Sequence, residues 1–130
     1  MKNIAILAHD KMKPKMVEFL NLHKDWIPGV NMLATGRTAE YVEKHGIDVK
    51  HLSPGESGGY NQIEEMIARK EVDIVIFFRD PSVNDHHEDI KNLMFACNSS
   101  DIPFATNYAS AKLLILGLIK MEATERRKSN

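Results

Sequence analysis

Two short runs of consecutive apolar residues constrain the fold of this chain most strongly. They are IAILA at residues 4–8 and IVIFF within the segment DIVIFF at residues 73–78. A strand with no polar alternation has to be covered on both faces, which is typical of a parallel sheet with helices on either side. We therefore predict buried strands at residues 4–8 and 73–78, and the second is the clearest central strand of the chain.

The remainder of the chain alternates between weaker strand candidates and helical stripes. Further strands are predicted at residues 30–34, 47–52 and 102–105. The third of the five strands, residues 47–52, is partly polar, which indicates an edge position. Apolar side chains at helical spacing predict helices near residues 14–23, 38–44 (closed by Gly46), 63–67, 90–97 and from about residue 109 onwards. This alternation predicts an α/β, doubly wound three-layer fold with a central, mostly parallel five-stranded sheet, in one domain spanning residues 1–130.

Charge and cysteine content exclude several classes of partner. The chain has 17 Lys and Arg against 18 Asp and Glu, a formal net charge of -1, so no overall field attracts nucleic acid or an anionic membrane. Cys97 is the only cysteine, which excludes an intrachain disulfide and is typical of a reducing, cytoplasmic compartment. The apolar stretch at residues 113–119 is interrupted by Gly117 and is too short to span a bilayer. We therefore expect a cytoplasmic protein with neither nucleic acid nor membrane as a partner.

Polar side chains follow the end of every predicted strand. In a doubly wound fold, ligands bind beyond the carboxyl ends of the strands, so these side chains should converge. In chain order they are His9, Asp10 and Lys13; Thr35, Gly36, Arg37 and Thr38; Ser53, Gly55, Glu56, Ser57, Gly58, Gly59 and Tyr60; Arg79 and Asp80 with the run DHHED at residues 85–89; and Thr106 with Asn107. This convergence is the main argument for a functional site.

Two of these segments have the residue types of a phosphate cradle. Residues 35–38, TGRT, offer two hydroxyls, backbone N–H groups at a helix start and a guanidinium. The pair Gly58 and Gly59 lets the backbone approach an oxyanion. Each segment also has a plainer interpretation, the first as a turn with a helix N-cap and the second as a flexible turn. Taken singly, Lys13 is equally consistent with a surface lysine, and His9 with a histidine packed below the first strand.

Three other kinds of ligand site are tested by sequence motifs. The run DHHED has the composition of a metal site, but adjacent residues rarely all point at one ion and no spaced H-x-x-x-H is present. We interpret it as a solvated loop, set His87 apart from it, and predict no metal site. A dinucleotide site needs G-x-G-x-x-G after the first strand, where this chain has AHDKMKP. A phosphoacceptor domain needs a carboxylate at the end of its third strand, where this chain has Leu52-Ser53, and a lysine after its fifth strand, where it has Thr106-Asn107. Neither a dinucleotide-binding domain nor a phosphoacceptor domain is therefore predicted.

Several of these segments together resemble the methylglyoxal synthase family along nearly the whole chain. They are IAILAHDKMK, LATGRT, PGESGGYNQ, DIVIFFRDP, the stretch HED at residues 87–89, and IPFATN. The resemblance implies the fold predicted above and assembly as a homohexamer. It also implies conversion of dihydroxyacetone phosphate to methylglyoxal and phosphate, a glycolytic bypass reaction, with no metal or organic cofactor.

The resemblance also assigns roles residue by residue. His9 and His87 would contact the carbonyl and hydroxyl oxygens of the substrate as neutral hydrogen-bond donors. Asp10 and Asp80 match family carboxylates that orient their neighbours, and Asp89 is the counterpart of another. The phosphate would be held by a further set of residues, which comprises Lys13, Thr35, Gly36, Thr38, Gly55 and Arg37, the last standing where the family usually has another threonine.

The loop before the third predicted helix departs from the family pattern. Tyr60 stands where the family has the aspartate that acts as the catalytic base. A phenol, whose reference pKa lies far above neutrality, is a poor base at pH 7. Pro54 replaces a serine that would hydrogen-bond the phosphate, and proline also removes a backbone N–H.

These departures leave three hypotheses about function open. In the first, the lyase reaction is retained and one of four carboxylates takes over as base: Asp10, Asp80, Asp89 or Glu56. In the second, the chain is a non-catalytic module that binds inorganic phosphate or a phosphorylated metabolite, as related regulatory domains of larger synthetases do. In the third, it is a degenerate copy retained for assembly. We favour the lyase because the other implied site residues are retained across four loops, namely His9, Lys13, Thr35, Thr38, Asp80 and His87.

Overall fold

A computed structural model of the chain describes residues 2–52, 59–83 and 87–129. Within these ranges the chain forms five strands, which are β1 Lys2–Ala8, β2 Val30–Thr35, β3 Lys50–Leu52, β4 Ile74–Phe78 and β5 Phe104–Ala105. The same ranges contain five α-helices, which are α1 Lys13–Leu22, α2 Gly36–Lys44, α3 Gly59–Ala68, α4 His87–Ser100 and α5 Tyr108–Ser129. Single turns of 3₁₀ helix at Asp10–Met12 and Ile27–Gly29 precede α1 and β2. Strands and helices therefore alternate along the chain, as predicted.

All five strands are parallel, and their order in the sheet is β3-β2-β1-β4-β5. The chain starts in the middle strand, moves outward through β2 to β3, and then crosses to β4 and β5 on the other side of β1. This order confirms the doubly wound α/β fold, the edge position of the third strand and the interior position of β4. The topological switch point lies between β1 and β4, where Ile6 is in register with Ile76. In open α/β sheets, the crevice beyond the carboxyl ends at this point is the usual ligand site.

The two faces of the sheet carry separate hydrophobic clusters, because side chains alternate along each strand. Ile4 and Ile6 of β1 pack in the cluster formed with α1, α2 and α5. Ala5 and Leu7 pack in the cluster formed with α3 and α4. All four side chains are buried, and full burial of an isoleucine or leucine stabilises the fold by about 1.5–3 kcal/mol. The uninterrupted apolar strand thus holds the three layers together.

The junction between β2 and α2 is tighter than predicted. The sequence predicts a turn at Thr35 and Gly36 and a helix from Thr38, but the strand runs to Thr35 and the helix begins at Gly36. Thr35 has extended backbone angles (φ -71°, ψ 158°), which suit the last residue of a strand and a helix N-cap alike. The first turn of α2 is therefore attached directly to the edge of the sheet.

The end of α2 is set by a glycine, as predicted. Gly46 has φ +84°, the left-handed conformation that glycine adopts at little cost. The N–H of Gly46 donates to the carbonyl of Glu43 at 3.0 Å, and the N–H of Ile47 donates to that of Val42 at 3.2 Å. Ile47 is buried in the core beside the helix end, so β3 starts only at Lys50 and is shorter than the predicted strand at residues 47–52.

The last strand is also shorter than predicted. The N–H of Ile102 donates to the carbonyl of Cys97 at 2.8 Å, which ties Ile102 to α4. Pro103 has no N–H to donate. Pairing of β5 with β4 is therefore limited to Phe104 and Ala105, in place of residues 102–105.

The C-terminal helix α5 packs along one face of the sheet. Ala111 and Ile115 are fully buried in the cluster shared with α1 and α2. Trp26 Nε1 donates to Glu122 Oε2 at 3.2 Å and joins α5 to the segment after α1. Among the residues that the structure describes, no helix is both long enough and apolar enough to cross a membrane.

Candidate active site

The ends of three adjacent strands bring polar residues to one edge of the sheet. His9 directly follows β1, Thr35 ends β2, and Asp80 lies two residues beyond β4. Because β1 pairs with β2 on one side and with β4 on the other, these three strand ends lie side by side. Helices α2, α3 and α4 follow parallel strands and begin at the same edge. Their first turns therefore surround the crevice at the switch point.

The imidazole of His9 is held by the backbone at the end of β4. The backbone N–H of Asp80 donates to His9 Nδ1 at 2.8 Å. An amide can only donate in this contact, so Nδ1 is the acceptor and the proton of the neutral ring is on Nε2. The ring also meets Phe77 edge to face, with 5.1 Å between the ring centroids. His9 is therefore oriented as a neutral Nε2–H donor.

The carboxylate of Asp80 is buried and is held on one side only. Oδ1 accepts the backbone N–H of Ser82 at 3.0 Å and the Ser82 hydroxyl at 2.7 Å. These two bonds from Ser82, helped by the charges of Lys11 and His9, hold the pKa of Asp80 below its ordinary value although burial opposes the shift. The other oxygen, Oδ2, is buried and has no hydrogen-bond partner among the described residues. Asp80 is thus an ionised group with one oxygen available to orient a neighbour.

Lys13 is a buried lysine in the first turn of α1, with 7% of its surface exposed. Its Nζ donates to the carbonyl of Ala8 at 3.1 Å and to Asp10 Oδ1 at 2.7 Å. Within the described residues these are its two acceptors, so one N–H of the ammonium is left for a further acceptor. The hydrogen bond and the charge of Lys13, with a smaller effect of Arg37, hold the pKa of the exposed Asp10 below its ordinary value. A fixed positive charge therefore lies at the end of β1.

The first turn of α2 adds neutral donors beside this charge. Thr35 and Thr38 are buried, with 7% and 2% of their surfaces exposed. The Thr35 hydroxyl makes no capping bond to the helix, and the first backbone N–H groups of α2, from Gly36 onwards, have no partner inside the helix. The positive end of the helix dipole lies at the same place. Lys13, Arg37 and this turn form an anion-binding arrangement.

The ring of Tyr60 packs inward at the start of α3. It stacks on Phe77 with 6.1 Å between ring centroids and 14° between ring planes. Phe77 therefore contacts both Tyr60 and His9. Tyr60 thus contributes aromatic packing against β4 at the start of α3.

Two carboxylates on the neighbouring helices α3 and α4 interact electrostatically. Asp89 lies in the first turn of α4, two residues after His87, which begins the helix. Glu64 lies in α3, one turn after Tyr60, and both Glu64 and Asp89 are half-buried. Burial and then the negative charge of Asp89 raise the pKa of Glu64 above its ordinary value. Glu64 is thus a carboxylate of α3 with increased proton affinity.

Some of the predicted site residues lie outside the described part of the chain. These are Pro54, Gly55 and Glu56 with the rest of residues 53–58, and the first residues of the DHHED run, Asp85 and His86. Within residues 2–52, 59–83 and 87–129, no three His, Cys, Asp or Glu side chains are grouped closely enough to hold a metal ion.

Sequence reasoning missed Ser82, which bonds to Asp80 at this edge, and Glu64 of α3, whose pKa is raised. Ser82 could have been found, because Asp-Pro-Ser is a typical turn sequence in which the aspartate accepts a bond from two residues on. Glu64 had a weaker signal, because it sits beside the buried Ile63 in the helical pattern but its partner Asp89 is 25 residues away in the chain. Only the packing of α3 on α4 identifies this pair.

Comparison with known proteins points to one family. The profile of the MGS-like domain family matches residues 15–106 of the chain. A methylglyoxal synthase from Thermoanaerobacterium thermosaccharolyticum is 46% identical over 118 residues, which are 89% of this chain and 88% of the relative. A methylglyoxal synthase from Caldicellulosiruptor saccharolyticus is 40% identical over 130 residues, which are 98% of this chain and 92% of the relative.

A solved structure shows the same architecture. The crystal structure of methylglyoxal synthase from Elizabethkingia anophelis NUHP1 superposes with a TM-score of 0.81 at 36% identity, and the match covers 87% of this chain and 76% of that one. Family profile, close relatives and fold agree over most of the chain. The chain therefore belongs to the methylglyoxal synthase-like family.

Proposed function

We propose that this chain is a lyase that converts dihydroxyacetone phosphate to methylglyoxal and inorganic phosphate. One observation carries the proposal: the Nε2–H donor of His9, fixed by the Asp80 backbone, lies at the same sheet edge as buried Lys13 and the start of α2. Elimination of phosphate from a keto-phosphate needs such a carbonyl-polarising donor beside an anion site. The names of the relatives support the same reaction.

The phosphate group of the substrate would lie between Lys13 and the first turn of α2. The ammonium of Lys13, the hydroxyls of Thr35 and Thr38 and the backbone N–H groups from Gly36 would supply the hydrogen bonds. The guanidinium of Arg37, which is exposed at this turn, would add a second positive charge. Gly55 stays a prediction from the family resemblance.

The carbonyl would point at His9. A base removes a proton from the carbon next to the carbonyl, the C–H electrons form a carbon–carbon double bond, and the carbonyl oxygen becomes negatively charged. The Nε2–H of His9 would stabilise that charge, with His87 as the second donor. The hydroxyl on the deprotonated carbon then loses its proton and becomes the aldehyde, the carbon–carbon double bond shifts to the phosphate-bearing carbon, and the carbon–oxygen bond to phosphate breaks. The enol that remains takes up a proton at its terminal carbon, and its carbonyl re-forms to give methylglyoxal.

Two of the four carboxylates considered as the base are poorly suited to that role. Asp10 is ion-paired with Lys13, and Asp80 is hydrogen-bonded to Ser82, and both contacts lower the pKa of the carboxylate. A lowered pKa makes a weaker base. We propose orienting roles for both, as the resemblance implies. Among the four residues, Asp89 and Glu56 remain as alternatives, and Glu56 lies outside the described residues.

Turnover of dihydroxyacetone phosphate by the purified wild-type protein tests the proposal. Methylglyoxal and phosphate should appear in equal amounts. A Tyr60→Asp variant, assayed in parallel, restores the carboxylate at the family position. A silent wild type with an active Tyr60→Asp variant would contradict the proposal and indicate a module that binds a phosphorylated metabolite. Silence of both variants, with no saturable phosphate binding by calorimetry, would leave only a role in assembly.

We also propose that the chain assembles as a homohexamer of single-domain subunits in the cytoplasm. Leu113 and Met121 of α5 are 73% and 62% exposed, and Phe95 of α4, on the other face of the sheet, is 74% exposed, so both outer layers offer apolar side chains for contact with other subunits. Cys97 is the lone cysteine, so no intrachain disulfide can form, as suits a reducing compartment. Light scattering should give the mass of six chains, and a monomeric mass at micromolar concentration would contradict this assembly.

A further inference from the structure

The side chain of His9 lies on the same face of the sheet as that of Phe77. The backbone N–H of His9 donates to the carbonyl of Phe78 at 3.1 Å, so the pairing of β1 with β4 continues one residue beyond β1. Leu7 and Phe77 are in register and pack in the cluster formed with α3 and α4. Because side chains alternate between the faces, His9 follows Leu7 on this face, and its imidazole reaches the Phe77 ring.

The hydrogen bond from Asp80 does not by itself set the plane of the His9 ring. It holds one ring atom, Nδ1, at 2.8 Å from the backbone nitrogen of Asp80. A hydrogen bond tolerates a range of angles, and the torsion that rotates an imidazole about its Cβ–Cγ bond has broad minima. A tilt of the ring changes the direction of Nε2–H, whereas a catalytic donor has to be held within about 10–20°. A further restraint on the ring plane is therefore needed.

The ring of Phe77 is placed to supply this restraint. Its centroid lies 5.1 Å from that of His9, and the two ring planes are 69° apart. This edge-to-face arrangement is a favoured geometry for neighbouring aromatic rings. Phe77 is fully buried in a strand that is paired on both sides. A tilt of the imidazole toward Phe77 therefore meets a packed ring.

Tyr60 supports the Phe77 ring from the start of α3. The two ring planes are only 14° apart, with 6.1 Å between the centroids. Tyr60 is half-buried and packs on the same hydrophobic cluster as Phe77. The three rings thus connect α3, β4 and the residue that follows β1, which are separate in the chain and meet only in the folded protein.

We propose that Phe77, supported by Tyr60, is a positioning residue that fixes the plane of the His9 imidazole and with it the direction of Nε2–H. This inference rests on the proposed lyase function for the role of His9. In this role Phe77 neither touches the substrate nor transfers a proton. Its effect reaches the reaction only through the orientation of the donor, and the phosphate-binding groups are independent of it.

Phe77→Leu and Phe78→Leu form a matched pair of variants. The two phenylalanines are adjacent in β4 and are 1% and 0% exposed. The ring of Phe78 lies on the opposite face, where it contacts Phe19 and Tyr108. Each change removes one buried aromatic ring from the same strand, but only Phe77→Leu removes the contact with His9. Urea unfolding should show a comparable loss of stability in both variants.

Nitrogen NMR of the imidazole measures the orientation without substrate. The ring signals of His9 are identified by their absence from a His9→Phe variant. In wild type and in Phe78→Leu, the ¹⁵N shifts should be those of one Nε2–H tautomer. In Phe77→Leu the shifts of the two ring nitrogens should move toward each other, because a tilting ring loses the bond from Asp80 for part of the time. Wild-type shifts in Phe77→Leu, or equal changes in both variants, would overturn the proposal.

Turnover of dihydroxyacetone phosphate gives a second measurement. We expect kcat in Phe77→Leu to fall by about 10–100-fold, the range known for groups that orient metal-ligating side chains. Phosphate affinity, measured by calorimetry, should stay within twofold of wild type, because no phosphate-binding group is changed. Phe78→Leu should keep the kcat of wild type. Equal kcat values in the two leucine variants would contradict the positioning role.

Variants of Tyr60 decide the question if Phe77→Leu does not fold. Tyr60→Leu removes a half-buried ring and leaves Phe77 in place, so the His9 shifts should change in the same direction by a smaller amount. Tyr60→Phe keeps the ring and should retain the His9 shifts of wild type. Unchanged His9 shifts in Tyr60→Leu would then overturn the proposal.

Failure of this inference and failure of the lyase are distinguishable, because the NMR measurement needs no turnover. A wild type without turnover, whose His9 shifts nevertheless change in Phe77→Leu, would overturn the lyase and support the positioning of His9. An active wild type, with unchanged shifts and unchanged kcat in Phe77→Leu, would overturn the positioning role and leave the lyase standing.

Discussion

At the scale of single residues, one hydrogen bond decides what His9 can do. The backbone N–H of Asp80 reaches Nδ1 at 2.8 Å, and a backbone amide cannot reverse its direction of donation. The proton of the neutral ring is thus kept on Nε2. A donor held in place before the reaction stabilises a developing oxyanion without the cost of reorientation.

Replacement of His9 by phenylalanine should remove this donor and keep the aromatic contact with Phe77. We expect kcat to fall by about 10²–10³, the usual loss for one oxyanion donor, while phosphate binding by calorimetry is retained. His45→Phe is the matched control, because His45 is exposed after α2, at the opposite edge of the sheet. Equal activity in both variants would contradict the role of His9.

At the scale of elements, the start of α2 is set by its direct connection to β2, and its end is set by the backbone conformation of Gly46. Its start follows Thr35 without a linking residue, which places the first turn at the ligand edge. Its end depends on Gly46, whose φ of +84° is unfavourable for residues with a Cβ. A Cβ at Gly46 would meet no atom within 4 Å, so any cost of substitution comes from the backbone alone.

Gly46→Ala and Gly117→Ala should therefore have opposite effects on the free energy of unfolding. Gly46→Ala should destabilise the protein by about 1 kcal/mol, because alanine is strained in the left-handed conformation. Gly117 lies inside α5, also with open space around its Cβ position, and Gly117→Ala should stabilise by about 0.5–1 kcal/mol through helix propensity. Urea denaturation of both variants measures the difference. The same sign for the two changes would contradict the backbone explanation.

At the scale of the whole molecule, α1 and α5 share one hydrophobic layer, and His23 lies at its border. The His23 ring contacts Phe19 with 5.1 Å between ring centroids. Its Nε2 is buried and has no hydrogen-bond partner among the described residues. Burial, followed by the charge of Lys112 on α5, lowers the pKa of His23 below the ordinary value of 6.5. The folded state therefore favours the neutral ring.

The free energy of unfolding should consequently decrease as the pH falls below about 6.5. The sign follows because the unfolded chain, with the higher pKa, takes up the proton first. His23→Phe should weaken this dependence between pH 7.5 and pH 5, whereas His45→Phe at an exposed position should leave it unchanged. Urea midpoints at the two pH values are the measurement. An identical pH dependence in wild type and His23→Phe would contradict the assignment.

The local pattern of the chain was sufficient to predict most of the fold. The continuous apolar runs at residues 4–8 and 74–78 required coverage on both faces, and the structure confirms both as buried strands. The lengths of β3 and β5 were overestimated, because Ile47 packs at the end of α2 and Ile102 is bonded to α4. Both are apolar residues in strand-like segments, and periodicity does not distinguish a side chain in the sheet from one beside it.

The sequence by itself therefore determined the alternation of strands and helices, the edge position of the third strand and the set of polar residues that follow the strands. Each of these features is set by the pattern of residues that are close together in the chain. Tertiary structure alone decided the tautomer of His9, the stacking of Tyr60 on Phe77 and the effect of Asp89 on the pKa of Glu64. Each of these features joins groups from different elements of the fold. Their proton positions and proton affinities depend on distance and burial, which exist only once the layers have packed together.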